Sequence, residues 1–227
     1  MTRPQVSILV PTLGREEFLP ALLATIIEST EVAWELVFVL DCGDVPSWKA
    51  VTHLAGEAPD GAVVVVAKNG TYPAKTNAGY RASCAPFVLP TADDVVFKSG
   101  WDAALEEFHD PEVCVVGTND LSPNSHAGHA TMPILRRTYV DEPGASFGEP
   151  GKVFFEGYRH NYVETEICEL ARHREVWSYC EAAVIEHLHP SWGKREVDDT
   201  DAVGNLNGMS GDEELFWERC AVWTSRS

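Results

Sequence analysis

Long apolar runs are what the sequence most clearly lacks. No stretch approaches the roughly eighteen uninterrupted apolar residues of a membrane-spanning helix, and the opening run VSILV ends at Pro11, too short for the core of a signal peptide. A soluble, unexported protein of the cytoplasm, with no membrane partner, is expected. Positive charge is also scarce: 17 Lys and Arg against 35 Asp and Glu leave a formal charge of −18. Such a chain repels a polyanion, so unaided nucleic-acid binding is disfavoured outside local basic spots such as Arg136-Arg137 and Lys194-Arg195. Six cysteines occur without any C-x-x-C pair, which argues against a zinc knuckle or disulfide framework and for reduced, buried thiols. Neither a Walker lysine-serine pair nor a G-x-G-x-x-G is present, so the common nucleotide loops are missing. An acidic chain can still bind an anion through a metal ion.

What is present is a chain able to build a core. At 227 residues and 44% hydrophobic it is long enough for a single compact α/β domain. The apolar runs VSILV, WELVFVL, AVVVVA and PFVLP alternate with helix-spaced segments such as REEFLPALLATIIE, the pattern of a doubly wound, mostly parallel sheet covered on both faces. VCVVGTND reads as a fifth strand, NYVETEICELARHR as a helix and AAVIEHLHP as a strand, with Gly- and Pro-rich loops between them and a helix after a mobile loop at the end.

Ligands of such sheets sit outside the carboxyl ends of the strands, so the residues just after each strand are the ones to read for chemistry. Asp41, ending FVLDCGD, either accepts hydrogen bonds from a ligand or caps the following turn. In KNGTYPAKTNAGYRAS, Lys75, Asn77 and Gly79 stand at a helix start, where the dipole and free N–H groups favour a phosphate. Asp93-Asp94 after PFVLPTA are either hard oxygen ligands for Mg²⁺ or Mn²⁺ or the start of the helix at SGWDAALEEF. His187 and His189 stand two apart in IEHLHP, on one face of a strand, and could complete a metal site. Glu164 and Glu166 open a helix, where either is a candidate general base or part of a solvated face.

Taken in order, VSILVPTLGREEFLPALLATI, WELVFVLDCGD, KNGTYPAKTNAGYRAS and PFVLPTADDV resemble family 2 glycosyltransferases with the GT-A, nucleotide-diphospho-sugar transferase fold: a Rossmann-like, mostly parallel twisted sheet flanked by helices. VETEICELAR and VIEHLHP resemble the family's base-bearing segment and its late metal-site strand, and GTND, FFEGYRHNYVETE and EHLHPSWGK look most like the short members encoded by bacteriophages. The resemblance implies one domain over 1–227, with residues 1–110 binding the nucleotide sugar, 111–195 forming the acceptor and catalytic half, and 196–227 a C-terminal loop and helix. It implies that Pro11, Thr12 and Asp41 flank the nucleobase, that Lys75 and Asn77 lie near the ribose or diphosphate, and that Ala92 and Asp93 carry the metal motif. Asp93, backed by Asp94 and His187, with His189 second, would then hold Mn²⁺ or Mg²⁺. Trp192 would either supply a stacking face for a sugar or pack in the core, and Lys194 would supply a charge for the phosphate.

One departure stands out, because Thr91 occupies the position of the motif's first aspartate. Metal affinity without nucleotide is therefore expected to be weak. The resemblance implies inverting transfer from a nucleotide-diphosphate sugar, a UDP-sugar first, to a hydroxyl of a protein, a modified DNA base or a glycan, with Glu164 as the base and Glu166 in reserve. A domain that binds the sugar nucleotide without turning it over, and a nucleotidyltransferase, are the alternative readings; oligomeric state is left open.

Overall fold

Strand formation follows the apolar runs. In the computed structural model, which describes residues 3–58, 62–123, 126–201 and 211–225, β1 (Val6–Thr12), β2 (Trp34–Leu40), β3 (Val63–Ala67) and β4 (Phe87–Pro90) pair in parallel in the order β3-β2-β1-β4. Their side chains alternate between two cores. Val6, Ile8 and Val10 of β1 and Leu36, Phe38 and Leu40 of β2 join one apolar cluster with Leu22, Leu23 and Ile26 of α1 (Leu19–Ser29) and Val51 of α2 (Val45–Leu54). Leu9, Val37 and Val39 face the other way, against Ala78 and Tyr80 of α3 (Tyr72–Ala82). That period of two is why β1 and β2 read as continuously apolar: both of their faces are covered, whereas β3 at the sheet edge is only partly so. Gly79 lies inside α3 and not at its start, and a Cβ there would stand 3.0 Å from Val39 Cγ2, so its role is close packing of the helix on the sheet.

The second half departs from a simple parallel sheet. β5 (Val95–Phe97), β6 (Val115–Asn119), β7 (Ile134–Arg136) and β8 (Trp177–His187) complete an eight-stranded sheet of order β3-β2-β1-β4-β7-β6-β8-β5. β7 is antiparallel to both β4 and β6, and β5 is antiparallel to β8. β5 and β7 have three residues each, too few for a periodic signal in the sequence. Between β1 and β8 the chain also forms a 3-10 helix at Trp101–His109 and the short α4 (Arg137–Asp141), and α5 (Val163–His173) and α6 (Asp212–Thr224) close the second face through Ile167, Leu170, Phe216 and Trp223.

The pairing of β5 with β8 sets Val95 opposite His187, and the amide of Leu188 donates to the carbonyl of Asp94 at 2.9 Å. This register, and not proximity in sequence, brings a histidine from the last strand to the aspartate pair. It also settles the helix-start reading of that pair: Asp93 and Asp94 form the bend between β4 and β5, seven residues before the 3-10 helix begins at Trp101. β8 ends at His187, so His189 lies beyond the strand, not two along on its face. The glycine-rich loop of residues 202–210 lies outside the described residues. No helix among the described residues is long and apolar enough to cross a membrane.

Candidate active site

A cavity of about 680 Å³ opens where β1 and β4 end. Pro11 and Thr12 at the end of β1 and Arg15 in the loop after it line it together with Gly70, Thr71, Tyr72 and Lys75 at the start of α3 and with Thr91–Asp94 after β4. It is closed by Arg159, His160, Asn161 and Glu164 from the α5 side, and by His187 at the end of β8 with His189, Trp192, Thr200 and Asp201 beyond it. The loop before α5 is tied down by Asp212, whose buried carboxylate accepts from the amides of Arg159, His160 and Asn161 at 2.9–3.2 Å. The amino end of α3 therefore faces the cavity, with Thr71 as its N-cap, and free N–H groups there suit an anion.

The acidic pair forms the floor. Asp93 accepts from the Thr12 hydroxyl at 2.5 Å and pairs with Arg15 at 3.2 Å. Asp94 pairs with His187 Nε2 at 3.2 Å and with Arg195 at 2.7 Å. Burial pushes the Asp93 carboxyl up to about 6, with Arg15 pulling it down and Asp94 pushing it further up. Burial acts on Asp94 in the same sense, yet the hydrogen bond and charge of His187, then Arg195 and Arg15, hold it well below the usual carboxylate range. Carboxylate oxygens and an imidazole nitrogen are a suitable donor set for Mn²⁺ or Mg²⁺. As they stand, no cluster of three or more His, Cys, Asp or Glu among the described residues is arranged to hold an ion. Guanidinium groups of Arg15 and Arg195 occupy the carboxylates, while Thr91 Oγ1 and His187 Nδ1 are buried without a hydrogen-bond partner. In kind these donors fit a divalent ion; in this arrangement the guanidiniums stand in its place.

Several residues singled out in the sequence sit elsewhere. Asp41 is outside the cavity lining, held by the buried Lys75 ammonium at 2.7 Å, which also donates to the carbonyl of Thr12. The cap after β2 is Asp44, whose side chain accepts from the amide of Ser47 and, at 2.8 Å, from Gly14. Asn77 is fully buried and does not reach the cavity: its oxygen accepts from the amides of Val153 and Phe154, and its nitrogen donates to the Phe154 carbonyl and to Glu156. A fully paired buried amide of this kind holds a loop in place, so a role at the ribose or diphosphate is corrected to a structural one. Lys194 turns away onto Glu186 at 3.2 Å, whereas Trp192 lines the cavity with its ring 5.3 Å from that of His187. His189 accepts from the Ser191 amide through Nδ1, which leaves only its other nitrogen toward the cavity. The basic pair Arg136-Arg137 makes no anion-binding patch, since the two guanidiniums bond to backbone carbonyls of Phe108, Asp110, Val113 and Ala85 and to the Ser83 hydroxyl.

The two glutamates of α5 separate. Glu166 is fully buried, gripped by Arg219 of α6 through two contacts of 2.7 Å and hydrogen-bonded by the Tyr158 hydroxyl and the Phe147 amide. It ties α5 to α6 and has no path to a substrate, which corrects its candidacy as a reserve base. Glu164 lines the cavity, and burial pushes it up to about 7 against the lowering effects of its own backbone amide, a hydrogen bond with Tyr72 and the charge of His187. A carboxylate titrating near neutrality is well placed to accept a proton. Arg15, Asp198, Asp201, Tyr72 and Asp212 are not singled out by the sequence, and Arg195 is singled out only as half of a basic spot; the signals for them are the arginine just after β1, the pair Lys194-Arg195 and the acidic run EVDDTD.

A sheet whose strand ends gather an acidic pair, a late-strand histidine and a helix amino terminus around one cavity defines the class: the GT-A fold of sugar-nucleotide transferases. The family model described as Glycosyl transferase family 2 matches residues 7–151, and the chain belongs to that family. The mannosyltransferase PcManGT from Pyrobaculum calidifontis, solved with GDP-Man and Mn²⁺, superposes with a TM-score of 0.62 at 17% identity, over 82% of this chain and 57% of its own. S. aureus TarS 1-349 superposes with TM-scores of 0.63 at 15% identity both with UDP, over 80% of this chain and 59% of its own, and with UDP-GlcNAc, over 95% and 72%. The likeness at these identities is one of fold, and the chain spans under two thirds of the length of PcManGT. No curated protein sequence matches it.

Proposed function

We propose that this protein transfers a sugar, with inversion, from a nucleoside-diphosphate sugar to an acceptor hydroxyl, using a divalent cation and a glutamate base. The observation that carries the reading is the meeting in one cavity of an acidic corner (Asp93, Asp94, His187), a helix amino terminus and a carboxylate raised to about 7, Glu164. Asp93, Asp94 and His187 would hold Mn²⁺ or Mg²⁺, which when bound supplies Lewis acidity to the departing diphosphate. Around it the chain's own groups divide the work. The Gly70–Tyr72 amides and the α3 dipole favour phosphate oxygens, and the Lys75 ammonium beside them is held in place by Asp41. Trp192 offers an aromatic face to the sugar. Glu164 accepts the acceptor hydroxyl's proton as the bond to the anomeric carbon forms from the face opposite the leaving group.

UDP-sugars are the first donors to try, and GDP-Man in PcManGT makes GDP-sugars the second. An acceptor hydroxyl on a protein side chain, a modified DNA base or a glycan fits the reading, and a bacteriophage source would favour the first two. The departure at Thr91 motivates one competing reading, a module that binds the sugar nucleotide without turnover. Mn²⁺-dependent hydrolysis of a nucleotide sugar by the wild type, abolished in Asp93→Ala, supports the transferase; nucleotide-sugar binding with no hydrolysis or transfer by the wild type supports the module.

A further inference from the structure

Two guanidiniums crowd the acidic corner, and neither has a part in the transfer reading. Arg15 Nη1 lies 3.2 Å from Asp93 Oδ1 and 3.6 Å from Asp94 Oδ2, while its Nε and Nη2 reach Asp198 at 2.9 and 3.0 Å. Arg195 Nη2 and Nε lie 2.7 and 3.1 Å from Asp94 Oδ2, and the same guanidinium reaches Asp201 at 2.5 and 2.7 Å. Both side chains are only 9% exposed and both lie over the ring of Phe18, at 5.9 and 5.5 Å. Two like charges stay side by side in this half-dry place because four carboxylates surround them.

That arrangement is incompatible with a cation on the same oxygens. A divalent ion held by Asp93 and Asp94 would stand within ion-pair range of both guanidiniums, in a buried corner where like charges are poorly screened. Cation and guanidinium are therefore alternative partners of the acidic pair. Displaced from Asp93 and Asp94, the guanidiniums keep Asp198 and Asp201 but have N–H groups to spare, and a diphosphate bridging to the cation presents anionic oxygens at the same corner, in the geometry that the planar guanidinium fork matches best. Two features agree with a second arrangement of this corner: Thr91 Oγ1 and His187 Nδ1 are buried with no hydrogen-bond partner in the present one.

We propose that Arg15 and Arg195 are diphosphate-binding residues held in reserve on Asp93 and Asp94, and that the cation takes the carboxylates as the guanidiniums pass to the phosphate oxygens. The inference rests on the sugar-nucleotide reading above. It makes cation and diphosphate bind cooperatively, because neither alone completes the exchange of partners. The segment 195–201 reports on the exchange, since Asp198 and Asp201 bond each other's amides and Thr200 bonds the Leu13 carbonyl beside Arg15.

The test measures Mn²⁺ uptake by electron paramagnetic resonance in the full chain, alone and with UDP or GDP, for the wild type, Arg195→Met and Arg195→Lys. Removing one competitor should tighten Mn²⁺ binding alone by about tenfold in Arg195→Met and weaken the gain from nucleotide by a similar factor, within the usual range of site-to-site coupling. Arg195→Lys, which keeps the charge, should behave between the two. In the wild type, hydrogen exchange of peptide 195–201 should rise with Mn²⁺ alone and fall again when nucleotide is added, a readout that needs no variant to fold. Unchanged Mn²⁺ affinity in both variants, or unchanged exchange in a wild type that does bind Mn²⁺ with nucleotide, overturns the exchange and leaves the transferase reading intact. A wild type that binds neither nucleotide with Mn²⁺ overturns the transferase reading itself.

Discussion

Replacing Glu164 by glutamine should make the protein more stable and less active at once. Burial raises this carboxyl from 4.5 to about 7 in the folded state. Below its unfolded value both states are protonated and the group does not influence folding. As pH rises from there to about 7, the unfolded chain releases its proton while the folded chain retains it, so stability falls across that window and stays lower above it. At about 1.4 kcal/mol per pKa unit, the full penalty at pH 8 is at most about 3 kcal/mol. The neutral amide of Glu164→Gln mimics the protonated form, so the variant escapes the penalty. For a chain of this size the gain in Tm should be up to about 6–12 °C at pH 8 and close to zero at pH 4. Transfer should fall by about 10²- to 10⁴-fold with donor affinity unchanged. In the wild type, kcat/KM should rise with pH through an inflection near 7, because the base acts only when deprotonated. Melting curves at the two pH values, set beside transfer rates, decide the matter. A variant with near-normal transfer and the same stability as wild type at both pH values refutes the assignment and its electrostatics together.

Three further substitutions separate structure from chemistry. Glu166→Gln leaves the Arg219 guanidinium under-compensated at a buried contact and should cost about 3 kcal/mol, with normal transfer per folded molecule; urea titration with active-site counting checks it. Asn77→Ala strands the amides of Val153 and Phe154 and the Phe154 carbonyl, which should lower stability by about 2–4 kcal/mol while nucleotide affinity stays within a factor of two or so. Thr91→Asp places a third carboxylate beside Asp93 and Asp94 and should tighten Mn²⁺ binding alone by about tenfold while lowering stability in its absence; calorimetric titration with Mn²⁺ reads the first effect and melting in chelator the second.

The parallel half of the sheet was legible because its strands are apolar on both faces and long enough to show it. The antiparallel strands were not, since three residues carry no period, and with them went the register that joins Asp94 to His187. The choice between the glutamates was within reach. Glu166 falls three residues after Val163 and four before Leu170, on the buried stripe of α5, whereas Glu164 is two positions away, about 200° round the helix. Asn77 likewise shares the buried face of α3 with Tyr80. Arg15 and Arg195 were beyond sequence reasoning, being 180 residues apart and joined only when the chain beyond β8 folds back over the loop after β1.

A cavity that holds a nucleoside-diphosphate sugar with the help of a divalent cation must be stabilised by the two together. Thermal melting with UDP- and GDP-sugars, each with and without Mn²⁺, tests it most directly. A ligand at a hundred times its Kd adds about 2.7 kcal/mol to a folded state that alone binds it, or about 5–11 °C in a chain of this length. A rise of that size is expected for at least one nucleotide sugar, dependent on Mn²⁺ and lost in Asp93→Ala; no rise with any of them in the presence of Mn²⁺ means that the cavity is not a sugar-nucleotide site.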